Sequence, residues 1–140
     1  MTSPLGPHLE NVGTLVVEVG EPCDLGRTAQ GHRRMIPILG GVLSGELGEG
    51  AVVAGGADWQ VIHDDGTLSI DAHYAVMLSD GTAVEVRSTG VRTQRVNDVY
   101  FRTAILLTAP SHRTDLCGAL LVSSGVRAEH QVILDLYRVA

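Results

Sequence analysis

Apolar and polar residues alternate along much of this chain, which is the pattern of β-strands that bury one face. The clearest run spans residues 68–78. Alternate positions there form two sets, Leu68, Ile70, Ala72, Tyr74, Val76 and Leu78 against Ser69, Asp71, His73, Ala75 and Met77. Because successive side chains of a strand point in opposite directions, each set is predicted to occupy its own face of the sheet.

Further strands are predicted where β-branched and apolar runs lie between turn residues. They are expected at 14–19, 33–39, 42–47, 50–53, 58–63, 83–88, 99–107 and 131–139, with 20–31 as a turn-rich stretch. Pro37 predicts an edge, a bulge or a strand end, because proline cannot donate to a ladder. Residues 113–121 fit a short helical turn and a strand equally well, so both alternatives stay open.

Two Asp-Gly pairs, Asp65-Gly66 and Asp80-Gly81, separate predicted strands. Asp-Gly between alternating runs is a strong hairpin signal, and it predicts type I′ turns with the aspartate at positive φ. The central part of the chain is therefore expected to be an antiparallel meander.

The predicted fold is all-β, a single closed antiparallel β-barrel of about eight to ten strands with little helix. Closure is favoured because an open sheet of this size exposes long edges, although a two-sheet sandwich is an alternative. The 17 glycines amount to about 12% of the chain, well above the usual ~7%, which suits short strands and tight turns. Residues 12–140 are expected to form one domain after a loose leader at 1–11.

The net charge of −6 argues against nucleic acid as a partner, because that affinity depends on clustered cations. The chain contains no lysine, which excludes Schiff-base chemistry and a lysine-dependent phosphate loop. Cys23 and Cys117 are expected to be reduced thiols. With neither a signal peptide nor a long apolar run in the sequence, we expect a cytoplasmic protein without a membrane partner. A homodimer is an open alternative.

Asp71 and His73 are the first candidate catalytic residues. They lie two positions apart on one predicted face, where a carboxylate can orient an imidazole and raise its basicity. The alternative is that this face is the solvated outside, as on most antiparallel sheets, and only a polar-lined lumen would make the pair functional. Tyr100 and Arg102 form a similar pair, and Tyr74 is a further candidate for stabilising an enolate-like oxygen.

Asp58 and Trp59 follow the glycines at 55 and 56, where the backbone can adopt unusual conformations. The indole of the single tryptophan is a candidate pocket wall, and a carboxylate in such a pocket would have a raised pKa. Alternatively, Trp59 plugs one barrel end and Asp58 accepts hydrogen bonds from a turn. The six histidines lie at no metal-ligand spacing, so neither a metal nor another cofactor is predicted.

Several motifs together resemble the domain-of-unknown-function family 3237, also called uncharacterised protein family 0311. The resemblance covers residues 15–139 and rests on these segments: Gly40-Gly41, Gly45-Glu46-Leu47, Gly55-Gly56-Ala57-Asp58-Trp59-Gln60, Asp71-Ala72-His73-Tyr74 and Tyr100-Phe101-Arg102-Thr103. It implies a small antiparallel β-barrel and no established activity. Glu46, in the second segment, is included among the candidate substrate-binding residues.

The chain departs from this family where relatives have arginine at 73, an acid at 108 and an aromatic pair with asparagine within 113–117. If those positions line the cavity, the pocket is expected to accept a bulkier and more apolar ligand.

We therefore expect a small-molecule-binding barrel that acts as a cofactor-independent enzyme of isomerase, cyclase or lyase type on a polyketide-like or other secondary metabolite. Asp58, Asp71 and His73 are the candidate catalytic residues; the candidate substrate-binding residues are Glu46, Trp59, Tyr74, Tyr100 and Arg102. The alternatives are a binding or carrier protein without catalysis, and a structural subunit of an oligomer.

Overall fold

The structure is a computed structural model that describes residues 5–140. Within that range the chain forms nine strands and one short helix. The strands are β1 (Leu9–Val19), β2 (Cys23–Thr28), β3 (Gly31–Ser44), β4 (Gly50–Ile62), β5 (Leu68–Leu78), β6 (Ala83–Gln94), β7 (Val99–Thr108), β8 (Leu121–Arg127) and β9 (Gln131–Val139), and the helix is α1 (Thr114–Cys117).

Eight of the strands close into an antiparallel barrel, and β2 is an extra strand that pairs with β3 alone. The barrel closes because β1 pairs with β9 on one side and with β3 on the other. The predicted all-β barrel is confirmed, and the sandwich alternative is wrong because no sheet edge separates β1 from β3.

Strand β3 changes its inward face at Gly40-Gly41. Before this point Ile36 and Ile38 are buried, and after it Leu43 is buried, so the inward positions shift from even to odd numbers. Gly41 has a φ of 139°, and a Cβ there would lie 2.0 Å from the carbonyl oxygen of Val16. The glycine therefore allows β3 to cross closely over β1. The β3–β4 ladder is interrupted directly after Pro37. This proline therefore marks a bulge, which was one of the three possibilities predicted for it.

The two Asp-Gly hairpins form, but with a different turn from the one predicted. Within these two loops only the glycines, Gly66 and Gly81, have positive φ, at 87° and 89°, and no described non-glycine residue of the chain does. In the first loop the Gly66 N–H donates to His63 O at 2.9 Å and the His63 N–H donates to Thr67 O at 2.9 Å. These bonds define a type I turn followed by a glycine bulge, so the aspartate keeps an ordinary backbone conformation.

Several predicted boundaries need correction. β1 begins at Leu9, inside the expected leader, because its pairing with β9 continues to Leu9↔Val139; residues 1–4 lie outside the described range. The turn-rich stretch contains β2. The fragments at 33–39 and 42–47 belong largely to one strand, β3, and those at 50–53 and 58–63 to β4. Residues 113–121 contain α1 and then the first residue of β8, so each alternative holds for part of the segment.

The barrel has a filled end and an open end. The filled end, next to α1, is packed with aliphatic side chains, including Leu15, Val76, Val86, Leu116 and Leu136, and retains a void of only about 10 Å³. At the open end, the loops that follow β4, β6 and β8 surround the space above the core. Any ligand-sized space inside the barrel must therefore lie toward the open end.

Candidate functional site

A cavity occupies the open half of the barrel. Its volume is about 50 Å³, and its walls are mainly apolar, including Val17, Ile36, Ile70, Phe101 and Leu134. Polar side chains interrupt this wall at seven positions: Asp58, Gln60, Tyr74, Ser88, Arg92, Thr103 and Arg127. A cavity of this size holds small groups, since about 10–15 Å³ suffices for one water molecule. The barrel interior is therefore partly hollow and partly polar.

Asp58 reaches this cavity from β4, directly after an irregularity in the β4–β5 ladder. The ladder is interrupted between Val53 and Ala57, and the two glycines lie within that interruption. A Cβ on Gly56 would lie 2.4 Å from His73 O and 2.6 Å from the Cβ of Tyr74. The absence of a side chain at 56 thus allows β4 to lie close against β5 just before Asp58 turns inward.

The Asp58 carboxyl group is largely buried and accepts two hydrogen bonds. Gln60 Nε2 donates to its Oδ2 at 2.7 Å, and the Asp71 N–H donates to its Oδ1 at 3.0 Å. Burial raises the pKa of Asp58 because it disfavours the charged form, although the hydrogen bonds from Gln60 and Asp71 oppose this effect. A carboxyl group with a raised pKa is a stronger base when ionised than an exposed aspartate is, which suits proton transfer with a ligand.

Tyr74 projects into the same cavity from β5. Its hydroxyl group is buried and has no hydrogen-bond partner among residues 5–140. Burial, and after it the negative charge of Asp58, raises the pKa of Tyr74, so the phenol stays protonated and remains a donor. Buried polar atoms almost always have a partner, so this hydroxyl is available to donate a hydrogen bond to a ligand in the cavity.

A row of three buried hydroxyl groups crosses β6, β7 and β8. Ser88 Oγ donates to Thr103 Oγ1 at 2.8 Å, and Thr103 Oγ1 lies 2.5 Å from Ser123 Oγ. Ser88 and Thr103 line the cavity, whereas Ser123 is fully buried behind them. The row supplies polar wall atoms whose own hydrogen bonds are largely made within the protein.

The structure separates the expected Asp71–His73 pair from the cavity. Both side chains lie on the outer face of β5, because the even-numbered residues of this strand face the core. His73 Nε2 bonds Glu85 Oε2 at 2.5 Å, and Asp71 forms a two-bond ion pair with Arg87 at 2.9 Å. The expectation that Asp71 orients His73 is therefore wrong, since each side chain bonds a residue on the neighbouring strand β6 instead.

Four of the candidate substrate-binding residues also lie away from the cavity. Trp59 is 44% exposed on the outer face of β4, so the expected indole wall of the lumen is absent. Tyr100 lies on the outer face of β7. The guanidinium groups of Arg95 and Arg102 lie 4.2 Å and 5.3 Å, respectively, from the centre of its ring. Glu46 is exposed in the β3–β4 turn at the filled end, where its Oε2 accepts from Arg138 at 3.3 Å. Of the eight candidates, only Asp58 and Tyr74 line the cavity.

The remaining polar wall residues were not predicted, because they lie on the apolar face of their strands and the candidate pairs lie on the polar face. A usable signal is a polar residue in phase with buried apolar ones. Ser88 continues the series Val84 and Val86, and Thr103 lies between Phe101 and Ile105. In this chain the polar residues within an otherwise apolar face line the lumen, whereas the polar pairs on the other face lie outside it.

The departures from the family pattern lie elsewhere. Position 73 is on the outside, and Leu116, within 113–117, is packed into the filled end. These departures create no space in the filled end for the bulkier ligand that was expected, because the void there is only about 10 Å³.

Within residues 5–140, no helix has the length and apolar character needed to cross a membrane. The same part of the chain contains no group of three or more His, Cys, Asp or Glu side chains placed to hold a metal ion.

Comparison with known proteins shows relatives that span the whole chain. A UPF0311 protein of Rhodopseudomonas palustris is 32% identical over 150 residues, covering 95% of this chain and 98% of the relative. The crystal structure of a beta-barrel like protein from Acinetobacter baumannii superposes with a TM-score of 0.93 at 26% identity, covering all of both chains.

A more distant likeness is to the crystal structure of an enzyme from Penicillium herquei. The TM-score is 0.80 at 20% identity, and the superposition covers 100% of this chain and 99% of the enzyme. At this identity the likeness concerns the fold alone. The family described as "Protein of unknown function (DUF3237)" matches residues 7–139, and this chain therefore belongs to that family.

Proposed function

We propose that the barrel is a cofactor-independent enzyme of isomerase, cyclase or lyase type, acting on a small and mainly apolar oxygenated molecule such as a polyketide-like or other secondary metabolite. The observation that carries the proposal is the convergence of Asp58 and Tyr74 on one cavity. A carboxyl group of raised pKa and an unpartnered phenol supply a proton-transfer group and an oxygen-stabilising donor, respectively.

In the proposed mechanism the apolar wall holds the carbon skeleton, and Tyr74 donates a hydrogen bond to a carbonyl oxygen of the substrate. Ionised Asp58 takes a proton from the adjacent carbon, and the electron pair of the broken C–H bond moves into the enolate. An isomerase returns that proton from Asp58 to another carbon. In a lyase the enolate instead forms a carbon–carbon double bond and expels a leaving group from the β-carbon, and Asp58 gives its proton to that departing group.

A cyclase uses Asp58 in the same two roles. The carboxylate takes the proton of a substrate hydroxyl group as its oxygen adds to a carbon–carbon double bond conjugated with the carbonyl group. The enolate that forms is stabilised by Tyr74, and it then receives the proton back from Asp58 at carbon. Each of these sequences conserves atoms and electrons within the substrate, so none requires an external oxidant or reductant.

The comparisons support a catalytic role to a limited extent. The enzyme from Penicillium herquei shares the fold, so a barrel of this kind supports catalysis in at least one other protein. A binding or carrier role without turnover is the second candidate, favoured by the mainly apolar wall of the cavity. A ligand that is held and released unchanged would need no proton transfer by Asp58.

The test is solvent-deuterium exchange next to a carbonyl group, because each enolate route forms the same kind of intermediate. A panel of small ketones, enones and keto acids, including cyclohexanone, 2-cyclohexenone and 4-oxopentanoate, is incubated with protein in D₂O and followed by NMR. We expect the protein to accelerate exchange for at least one compound and Asp58→Asn to slow it by about 100-fold or more, the usual contribution of general acid–base catalysis.

The matched control is Asp135→Asn, the same chemical change on the outer face of β9, where the carboxylate accepts a bond from Thr14. This variant should accelerate deuterium exchange of the test compounds as much as the unaltered protein does. Equal rates for Asp58→Asn and the unaltered protein, or no acceleration for any compound, would contradict the enzyme proposal and leave the carrier. Loss of exchange in His73→Ala would place the chemistry on the outer face of β5 instead.

A further inference from the structure

Three arginines face inward at the open end of the barrel, and we call them the arginine collar. Arg34 on β3, Arg92 on β6 and Arg127 on β8 each stand at an inward position of their strand. Arg34 is in phase with the buried Ile36, Arg92 with Ser88, and Arg127 with Ser123. Charged groups at inward positions are unusual and call for a compensating partner.

Arg92 has no such partner within residues 5–140. It is half-buried, and it makes neither an ion pair nor a side-chain hydrogen bond in the described part of the chain. Burial lowers the pKa of Arg92, and the positive charges of Arg34 and Arg127 lower it further, whereas the negative charge of Asp58 raises it. Arg92 and Arg127 line the same cavity, so two members of the collar face one space.

The other two members of the collar bond only neutral acceptors. Arg34 Nε donates to Gln60 Oε1 at 2.7 Å, and Arg127 Nη1 donates to Gln131 O at 3.3 Å. By contrast, four arginines elsewhere are paired with carboxylates: Arg27 with Asp64, Arg87 with Asp71, Arg113 with Asp80 and Asp115, and Arg138 with Glu46. In a chain of net charge −6, the collar is thus a local excess of positive charge.

Two acids approach the collar, and neither forms an ion pair with it among residues 5–140. The Asp58 carboxyl group accepts its hydrogen bonds from Gln60 and from the Asp71 N–H. Asp24, opposite Arg34 on β2, accepts from the Gly26 N–H at 2.8 Å and bonds His32 Nε2 at 2.8 Å. In the described chain no carboxylate is thus bonded directly to Arg34, Arg92 or Arg127.

An entrance leads to the collar from outside. The β7–β8 ladder ends at Arg102↔Ser124, and beyond it a depression of about 500 Å³ is lined by Val99, Gly125 and Val126. Arg92 and Arg127 line this depression and the inner cavity alike. A ligand that passes from the depression into the cavity would therefore contact both arginines.

We infer that the ligand of the barrel is a small organic carboxylate whose anionic group binds at the arginine collar and whose apolar body enters the cavity. The inference rests on the proposed function only in taking the cavity as the ligand site. Planar guanidinium groups match a carboxylate in geometry as well as in charge. With the anionic group at the collar, the carbon skeleton extends toward Asp58 and Tyr74.

The test compares four probes that share one apolar chain: hexanoate, 1-hexanol, hexylamine and hexyl phosphate. Affinities are measured by ¹⁵N–¹H NMR titration at low salt, following backbone amides and the arginine Nε–H signals. We expect hexanoate to bind at least about tenfold more tightly than hexanol, equivalent to about 1.4 kcal/mol, and hexylamine to bind most weakly. The Arg92 Nε–H signal should shift with hexanoate.

The variants Arg92→Gln and Arg127→Gln should each remove most of the preference for hexanoate over hexanol. Arg87→Gln is the matched control, because Arg87 lies outside the barrel and pairs with Asp71. Because binding is measured without turnover, this test is separate from the deuterium-exchange test of the proton-transfer proposal.

Hexanol binding as tightly as hexanoate would overturn the carboxylate inference while leaving the cavity as a binding site. A preference that survives both collar variants would overturn it too, because the anion would then bind elsewhere. Tighter binding of hexyl phosphate than of hexanoate would replace the carboxylate by a phosphate ester. If none of the four probes bound, both the inference and the use of the cavity as a ligand site would be contradicted.

Discussion

The Tyr74 hydroxyl group and the Asp58 carboxyl group share one cavity, and the phenol has no hydrogen-bond partner in the described chain. Their strands are neighbours, with Asp58 opposite Ala72, two residues before Tyr74. The negative charge of Asp58 also contributes to raising the pKa of Tyr74. An acid–base group and a hydrogen-bond donor are thus placed side by side where the barrel is hollow.

Tyr74→Phe separates structural from chemical roles of the phenol. Because the hydroxyl has no partner, its removal should leave the free energy of unfolding unchanged or raise it by about 1 kcal/mol, while deuterium exchange falls. Urea denaturation measures the first effect and NMR the second. A decrease in the free energy of unfolding would instead show that the hydroxyl is hydrogen-bonded in the folded protein.

The raised pKa of Asp58 predicts a particular dependence of stability on pH. An aspartate with a higher pKa in the folded state than in the unfolded state, where it is about 3.9, weakens the fold as pH rises through the interval between the two values. The stability difference between Asp58→Asn and the unaltered protein should therefore move in favour of the variant as pH increases above about 4.

Denaturation of both proteins between pH 3 and 8 measures this difference, and Asp135→Asn serves as the control for a carboxyl outside the barrel. A difference that moves in the opposite direction would mean that the hydrogen bonds from Gln60 and Asp71 outweigh the effect of burial on Asp58.

Thr103 is the centre of the buried hydroxyl row, so Thr103→Val should leave Ser88 and Ser123 each without a partner. The expected loss of stability is about 1–3 kcal/mol, the usual cost of an unsatisfied buried group. The control is Thr89→Val on the exposed face of β6, which should change stability by no more than about 0.5 kcal/mol. Equal effects of the two substitutions would contradict the proposed importance of the row.

Gly56→Ala tests the close approach of β4 to β5. The new methyl group would meet His73 O at 2.4 Å, so we expect a loss of about 1–3 kcal/mol or more and displacement of Asp58. Gly6→Ala is the control, because a Cβ there meets nothing within 4 Å. Thermal unfolding of both variants checks the prediction, and a Gly56→Ala protein as stable as the control would rule out tight packing at this position.

Local patterns in the sequence were enough to predict the strands and their inward faces. β5 and β9 have the predicted bounds, because strict alternation or a continuous apolar run between turn residues fixes a strand locally. The Asp-Gly turns were located correctly, but their type was wrong. A type I turn with a following glycine bulge requires positive φ only at the glycine, and the dipeptide does not distinguish the two solutions.

The candidate site was harder to predict, for a physical reason. Asp71 and His73 formed a plausible pair by spacing, yet spacing along one strand does not show which residues lie opposite on the next. In the register of β5 and β6, His73 lies close to Glu85, and Asp71 lies close to Arg87. Asp58 and Tyr74 were identified from residue type and from the resemblance, but nothing in their sequence separation predicted a common cavity.

The sequence by itself determined an all-β chain with alternating faces, because side-chain direction in a strand follows from local backbone geometry. Only the tertiary structure decided where polar groups would meet. Closure through the β1–β3 pairing brings residues as distant as Arg34, Arg92 and Arg127 around one opening. Distances across a barrel depend on register and closure together, and neither is recorded in the spacing of residues along the chain.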